Sequence, residues 1–291
     1  MILLDHKGNL FYLSDMFKFL LKKNFADIWD NLFHLIIVNL FFLALCALAV
    51  LGFFTLGHLP VNDGLKSLLM ILYLFFSSAF IHVFFFAEGK NAERISNYEG
   101  SKLSLFFSSI VSSIKDGALY GCVVALLICI AFITMPYYFR MWIPADGSKG
   151  SFLGLLFMAL VFWLEVLALL SLQWFMAIRN VLHNNFKKCL KKSVIIFFDN
   201  PWLSIGIVFL NLFELLITVF TLGLIPGISG MTVTVTNAFR LRMYKYDWYE
   251  VNPGMTKEQR RDIPWDELLA NEKQALGPRT LKSYFLPWKD N

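Results

Sequence analysis

The chain has 291 residues, 57% of them hydrophobic and 16% charged, with a formal net charge of +5 and a mean hydropathy of +0.60. Soluble domains average about 45–50% apolar and about 25% charged, so an ordinary soluble domain is excluded. Apolar runs recur at the roughly 20 residues a helix needs to cross about 30 Å of hydrocarbon, and they are continuous, which excludes the alternating strands of a membrane β-barrel.

In chain order, the first segment is polar. Asp5, Asp15, Lys18, Lys22 and Lys23 interrupt it before any long apolar run. No cleavable signal peptide is therefore expected, and the first span serves as an uncleaved insertion signal. Residues 16–28 are amphipathic, with Phe17, Leu20, Leu21, Asn24 and Ile28 on one side of a helix and Asp15, Lys18 and Lys22 on another. Five apolar spans follow at 32–56, 68–87, 118–139, 152–178 and 202–224. Two further amphipathic segments lie beside them. In 103–114, Phe106, Phe107, Ile110, Val111 and Ile114 oppose a serine-rich face; in 182–198, Phe186, Leu190 and Phe197 oppose Lys187, Lys188, Lys191 and Lys192. Such helices are expected in the membrane interface, as lipid anchors or as a docking surface for a cytoplasmic partner.

The stretch 222–246, LGLIPGISGMTVTVTNAFRLRMYKY, decides the topology. If 225–239 crosses, Lys66, Arg140 and Lys149 are the basic residues of the outer loops and the other Lys and Arg fall inside; if it does not, the two sides carry equal numbers. The positive-inside bias predicts the crossing, with both termini cytoplasmic. A lone strand in lipid leaves its backbone unpaired, so the alternating TVTVT is expected to be helical. Gly230, Thr234 and Ala238, four apart, form a smooth helix-packing face. The expected fold is all-α: a polytopic membrane bundle of six transmembrane helices with amphipathic interfacial helices and a cytoplasmic C-terminal tail. It divides into an N-terminal segment 1–31, a membrane domain 32–241 and a tail 242–291. In the tail, Pro264 with Asp266 and Glu267 starts a helix and Gly277-Pro278 stops it. Leu281, Tyr284, Phe285 and Trp288 follow at helical spacing, and are expected to cover the membrane domain or the interface.

The first span and its exit read NLFFLALCALAVLGFFTLG. This resembles the YesL-like family of bacterial membrane proteins, in which an Asn opens the first span and a Leu-Pro-Ile-Val-Thr-Ile-Gly-like exit closes it. Asn39 matches the first feature, and Leu51 to Gly57, with Thr55 and Gly57, the second. Gly52 stands where the family has proline, and about one extra helical turn separates Asn39 from the exit. LSLFFSSIVSSIKDGALYG and WFMAIRNVLHNNFKKCLKKSVIIFFDNPWLSIG match more loosely, so the resemblance covers roughly residues 24–245 and leaves the tail unmatched. It implies an accessory role beside a carbohydrate ABC transporter, with no catalytic residues.

Ionisable residues within spans are functional suspects by default. Glu165 lies at the centre of the fourth span and Glu214 near the centre of the fifth, with Asn211 three residues before it on the same face. As an antiparallel pair these spans bring the carboxyls together to share a proton or cation, because like charges raise one pKa. Otherwise each Glu hydrogen-bonds a neighbouring helix through Ser171, Asn211 or Thr218. His34, His82 and His183 are scattered without metal-ligand spacing, and Cys122 and Cys129, seven apart, share a helix face as small apolar residues. Neither a phosphate-binding loop nor a hydrolase or zinc-protease motif occurs, so no enzyme, cofactor or metal is expected. The basic loops suit anionic lipid better than nucleic acid. The expected function is a non-enzymatic accessory component of a carbohydrate transport system, docking on ABC transporter components through cytoplasmic helices and tail. The alternative is a small transporter or channel using Glu165 and Glu214.

Overall fold

The computed structural model describes residues 11–145 and 147–279, so Leu281, Tyr284, Phe285 and Trp288 lie outside the described residues. The fold is all-helical among these residues. Helix α1 (Phe11–Asp30) leads into α2 (Leu32–Gly57), α3 (Asp63–Ser96) and α4 (Leu103–Cys129). A π-helical turn (Ile130–Thr134) continues α4 into α5 (Met135–Trp142). Then come α6 (Phe152–Leu172), α7 (Phe175–Leu182), α8 (Phe186–Asp199), α9 (Pro201–Phe220) and α10 (Gly227–Val251). A 3-10 turn (Gln259–Arg261), α11 (Trp265–Leu268) and α12 (Ala270–Leu276) complete it. Five helical stretches are long and apolar enough to cross a membrane: Leu32–Gly57, Asp63–Ser96, Leu103–Trp142, Phe152–Leu182 and Pro201–Phe220. This is a multi-pass membrane protein.

The longest helices form a tight hairpin. Asn62 caps α3 by accepting from the Leu65 amide at 2.8 Å, which satisfies one of the donors a helix start leaves free. Small residues let α3 and α4 meet backbone to backbone. A Cβ added to Gly121 would lie 2.5 Å from Ala79 Cα, and one added to Gly117 2.7 Å from Val83 Cα. Ser78 donates to the Gly121 carbonyl across this contact at 2.7 Å. Pro136 enters α5 just after the π turn. A proline inside a helix clashes with the carbonyl four residues back, and a π turn at Ile130–Thr134 supplies the wider register there.

Several elements differ from the sequence expectation. Residues 103–114 are the opening turns of α4, joined without a break to the third span. Their facing is mixed. Phe106, Ser109 and Ser113 are buried against the protein, while Phe107, Val111 and Ile114 are exposed along with Ser104, Ser108 and Ser112. Small residues such as Ser109 and Ser113 let helices pack closely in a membrane. Helix α1 buries Leu20 and Asn24 and exposes Lys18 and Lys22, as expected, but it also buries Lys23 and Asp27 and exposes Leu21. Helix α8 buries Phe197 and exposes Lys187, Lys188 and Lys191, as expected, with Cys189, Ser193 and Ile196 also buried and Leu190 exposed. Helix α6 ends at Leu172, within the fourth apolar stretch, where Gln173 turns its amide onto the Leu170 carbonyl (2.9 Å).

The core sits at one end. There α2 and α4 begin and α3 and α6 finish; Phe86, Tyr120, Leu172, Trp174, Phe175 and Ile178 pack with Met16 and Leu20 of α1, Ile207 of α9 and Phe239 of α10. Ile263, Trp265, Leu269 and Leu276 of the tail join the same core. We call this the basic end, since α8 displays Lys187, Lys188 and Lys191 there. Helix α10 is the hub, touching α1, α2, α3, α7 and α9. It runs on to Val251, through the boundary expected at 241–242, and it falls short of the apolarity of a membrane span. Its TVTVT segment is helical, as expected. Thr232 and Thr236 donate to the carbonyls of Ile228 and Thr232, each at 2.8 Å, which lets threonine sit buried inside a helix.

Candidate functional site

The polar groups that composition makes conspicuous converge on α10. At its start, Asn39 of α2 donates through Nδ2 to the carbonyls of Leu224 (2.8 Å) and Pro226 (2.7 Å) and accepts through Oδ1 from the Ser229 amide (3.0 Å). Gly227 has φ +64°, and an added Cβ would strike the Asn39 side chain. Only glycine meets both demands cheaply. Asn39 thus holds the α9–α10 turn against α2. Thr55 and Gly57, the other residues of that motif, lie at the far end of α2. Thr55 donates to the Gly52 carbonyl at 2.9 Å, and a Cβ on Gly57 would meet Met70 at 3.4 Å. The structure does not bring them near Asn39.

One turn deeper toward the basic end lies a carboxylate that sequence reasoning passed over. Glu88 is fully buried. It takes Ser229 Oγ at 2.6 Å, His34 Nε2 at 3.0 Å and Asn91 Nδ2 at 3.2 Å. These hydrogen bonds tie α2, α3 and α10 together. Its signal in the sequence was slight. Phe84-Phe85-Phe86-Ala87 leads to Glu88, but Gly89 and Asn91 follow at once, so the local sequence does not mark the acid as part of a buried helix.

The two carboxyls singled out within the spans make no hydrogen bond to each other. Glu214 Oε1 accepts from Thr234 Oγ1 at 2.6 Å, and its Oε2 has no partner. Thr218 Oγ1 bonds the Glu214 carbonyl, not its side chain. Glu165 is buried with Oε1 unpartnered. Asn211 does not share the Glu214 environment. It lines a cavity of about 220 Å³ with Phe85, Tyr120, Gln173 and Met176, whereas Glu214 lines one of about 350 Å³ with Asn24, Trp29, Phe213 and Pro226. The Gly230, Thr234 and Ala238 face of α10 is buried. Gly230 approaches Ile28 of α1, and Thr234 meets Glu214 of α9.

Below these lies an ion network. Lys23 and Asp27 pair at 3.2 Å with both side chains buried, and Lys23 Nζ stands 3.5 Å over the Tyr98 ring. Burial pushes the Lys23 pKa down and the Asp27 pKa up, and their mutual attraction opposes both shifts. Asn237 donates to Asn24 and to Asp27, each at 2.8 Å. The tail closes the network: Glu272 accepts from Arg240 (2.7 Å), Tyr244 (2.7 Å) and Tyr98 (2.8 Å). Further along α10, Lys245 (2.8 Å) and Tyr246 (2.5 Å) donate to Asp199. Burial works to raise the Asp199 pKa, but these donors hold it below the usual range. Asp116, in the Lys-Asp-Gly-Ala-Leu stretch, pairs with Arg179 at 2.8 Å. Among the described residues, no group of His, Cys, Asp and Glu is arranged to hold a metal ion.

No family model matches the chain, and neither does any curated protein or solved structure.

Proposed function

We propose that this chain is a non-enzymatic component of the cytoplasmic membrane, an accessory to a carbohydrate transport system that docks through its cytoplasmic helices and tail. In this reading the basic end is cytoplasmic and both termini lie on that side. The number of crossings is then even, whether six with α9 and α10 both crossing, as the sequence reads, or four with neither. The observation that carries the proposal is where order is invested. Helices α1, α7, α8, α10 and the tail build a polar-braced core at the basic end. The spans remain largely lipid-exposed, with as little as 11% of the apolar window buried in Phe152–Leu182. A body that presents Lys187, Lys188 and Lys191 on a fixed helix suits docking. The resemblance of the Asn39 and Leu51–Gly57 region to the YesL-like family points the same way by association.

The test is purification from native membranes in mild detergent, followed by mass spectrometry. The expected result is a stoichiometric ABC permease or ATPase, lost when 251–291 is removed or when the three exposed α8 lysines become Glu, with membrane insertion intact. A partner-free protein from native membranes overturns the accessory role. A second reading, a small transporter with a proton or cation on Glu165 and Glu214, draws support from the unpartnered oxygen that each carries. It replaces the first if a partner-free protein supports flux in vesicles that Glu165→Gln and Glu214→Gln both abolish.

A further inference from the structure

We infer that α9 does not cross the bilayer but lies along one leaflet at the basic end, seating its apolar face among the acyl chains, so that four helical stretches cross. The inference stands independently of the accessory role.

Helix α3 serves as a ruler. Helix α2 runs antiparallel beside it, with Phe53 against Tyr73 (ring centroids 4.8 Å apart), Phe41 against Phe84 (5.0 Å) and His34 bonded to Glu88. Asn39 therefore sits at the level of Phe84 to Glu88. The far end of α9 is fixed at this level, because Asn39 holds Pro226 and the Gly227 amide donates to Thr218 Oγ1 at 3.0 Å. The near end is fixed at the same level. Trp174 Nε1 and Gln173 Nε2 donate to Ser204 at 2.9 and 3.1 Å. Next in the chain, Phe175 packs on Phe86 at 5.8 Å between centroids, and Met176 fills the space beside Gly89. The middle agrees, since Asn211 shares its cavity with Phe85 and Met176.

Ser204 and Thr218 are about 21 Å apart along a helix. A helix whose two ends and middle all meet α3 between Phe84 and Gly89 runs across α3, not beside it. That level is the edge of the hydrocarbon. Apolar residues of α3 such as Leu72, Phe76 and Phe80 are exposed on one side of it, and Lys90, Glu93 and Arg94 follow on the other.

The faces of α9 fit this position. Leu203, Ser204, Ile207 and Glu214 are buried against the protein, while Phe209, Leu212, Phe213, Leu216, Val219 and Phe220 are exposed. Two such faces on one helix suit an in-plane membrane element. The occupant of the apolar face is the acyl region of the basic-side leaflet, because Phe186 packs on Phe175 at 4.9 Å at that same level and the exposed Lys187 and Lys188 follow it, where they suit anionic headgroups.

The test uses full-length protein in liposomes, with Cys46, Cys122, Cys129 and Cys189 replaced by Ala and single nitroxide labels at Phe209, Leu212, Leu216 and Val219. Immersion depth is read from relaxation by oxygen and by a water-soluble nickel complex. The inference expects one depth for all four within about a helical turn. A steady change of about 15 Å from Phe209 to Val219, the rise of a crossing helix, overturns it. Labels at Leu153, Leu160 and Leu169 of α6 calibrate a crossing. A second readout does not depend on depth. In sealed vesicles a Leu222→Cys variant is expected to resist an impermeant maleimide applied from the side that labels Lys149→Cys. Labelling from that side overturns the inference.

Discussion

Asn39 uses both amide protons and its carbonyl on a turn that lies 187 residues away in the chain. Replacing it by Leu keeps the shape but strands two buried carbonyls and one amide. Each lost bond contributes roughly 1 kcal/mol and each stranded group costs about 1–3, so Asn39→Leu is expected to lower stability by roughly 3–5 kcal/mol. Thr55→Val removes an exposed bond within one helix and should stay within about 0.5 kcal/mol. Equilibrium unfolding in mixed micelles checks both, and equal losses would contradict the clamp. The motif residue was legible in the sequence; its partner was not, because nothing local marks Leu224 and Pro226 as its acceptors. Glu88 was hidden for a related reason. An acid at the end of an apolar run reads as the start of a loop, and only the long α3–α4 hairpin carries it inside. Glu165 and Glu214 drew notice by rarity, but rarity does not say which cavity a side chain faces, and Asn211 and Glu214 face different ones.

At the scale of elements, the tail is the clearest case of local signals arriving intact. Pro264 precedes α11, Asp266 and Glu267 occupy its first turn, and Gly277 at φ +73° ends α12, as turn chemistry predicts, although the one expected helix is divided at Leu269. What locks these helices down is Glu272, 3% exposed and held by three side chains from α3's end and α10. Removing one partner of a buried ion pair costs about 3–5 kcal/mol because the other charge is left uncompensated. Glu272→Leu should therefore free the tail locally, and trypsin should cut after Arg260 or Arg261 at least tenfold faster than in the parent protein. Glu272→Gln, which keeps an acceptor, should fall between. An unchanged cleavage rate in the Leu variant would mean that the apolar contacts of Ile263, Trp265 and Leu269 hold the tail alone. The amphipathic segments were legible as helices, and the exposed Lys18, Lys22, Lys187, Lys188 and Lys191 lie where expected; the burial of Lys23, Ser109 and Ser113 was not legible, because it is set by neighbours from other elements. Charge counting behaved similarly. It speaks to which side the tail occupies, and an even number of crossings satisfies it equally whether α9 and α10 both cross or neither does.

On the scale of the whole molecule, the apolar spans bury little of themselves inside the protein, and the less apolar α10 buries much of itself. The apolar stretches from Leu103 to Trp142 and Phe152 to Leu182 have only 17% and 11% of their most apolar windows buried inside the protein. Helix α10, which is not apolar enough to count as a span, has thirteen buried residues and neighbours on every side. The bilayer therefore supplies the environment of the spans, and the protein supplies that of α10. Detergent should separate the two. Local opening depends on how many contacts must break at once, and a micelle replaces lipid contacts but not the Asn39, Glu88, Glu214 and Asp27 bonds that grip α10. Amide exchange in mild detergent is expected to be slowest over residues 229–242, at least tenfold slower than in α5 and the outer half of α6, although those helices are far more apolar. Mass-spectrometric hydrogen exchange resolves these segments. Faster exchange in α10 than in α6 would mean that stability follows hydropathy, and that the polar braces around α10 add nothing to its retention.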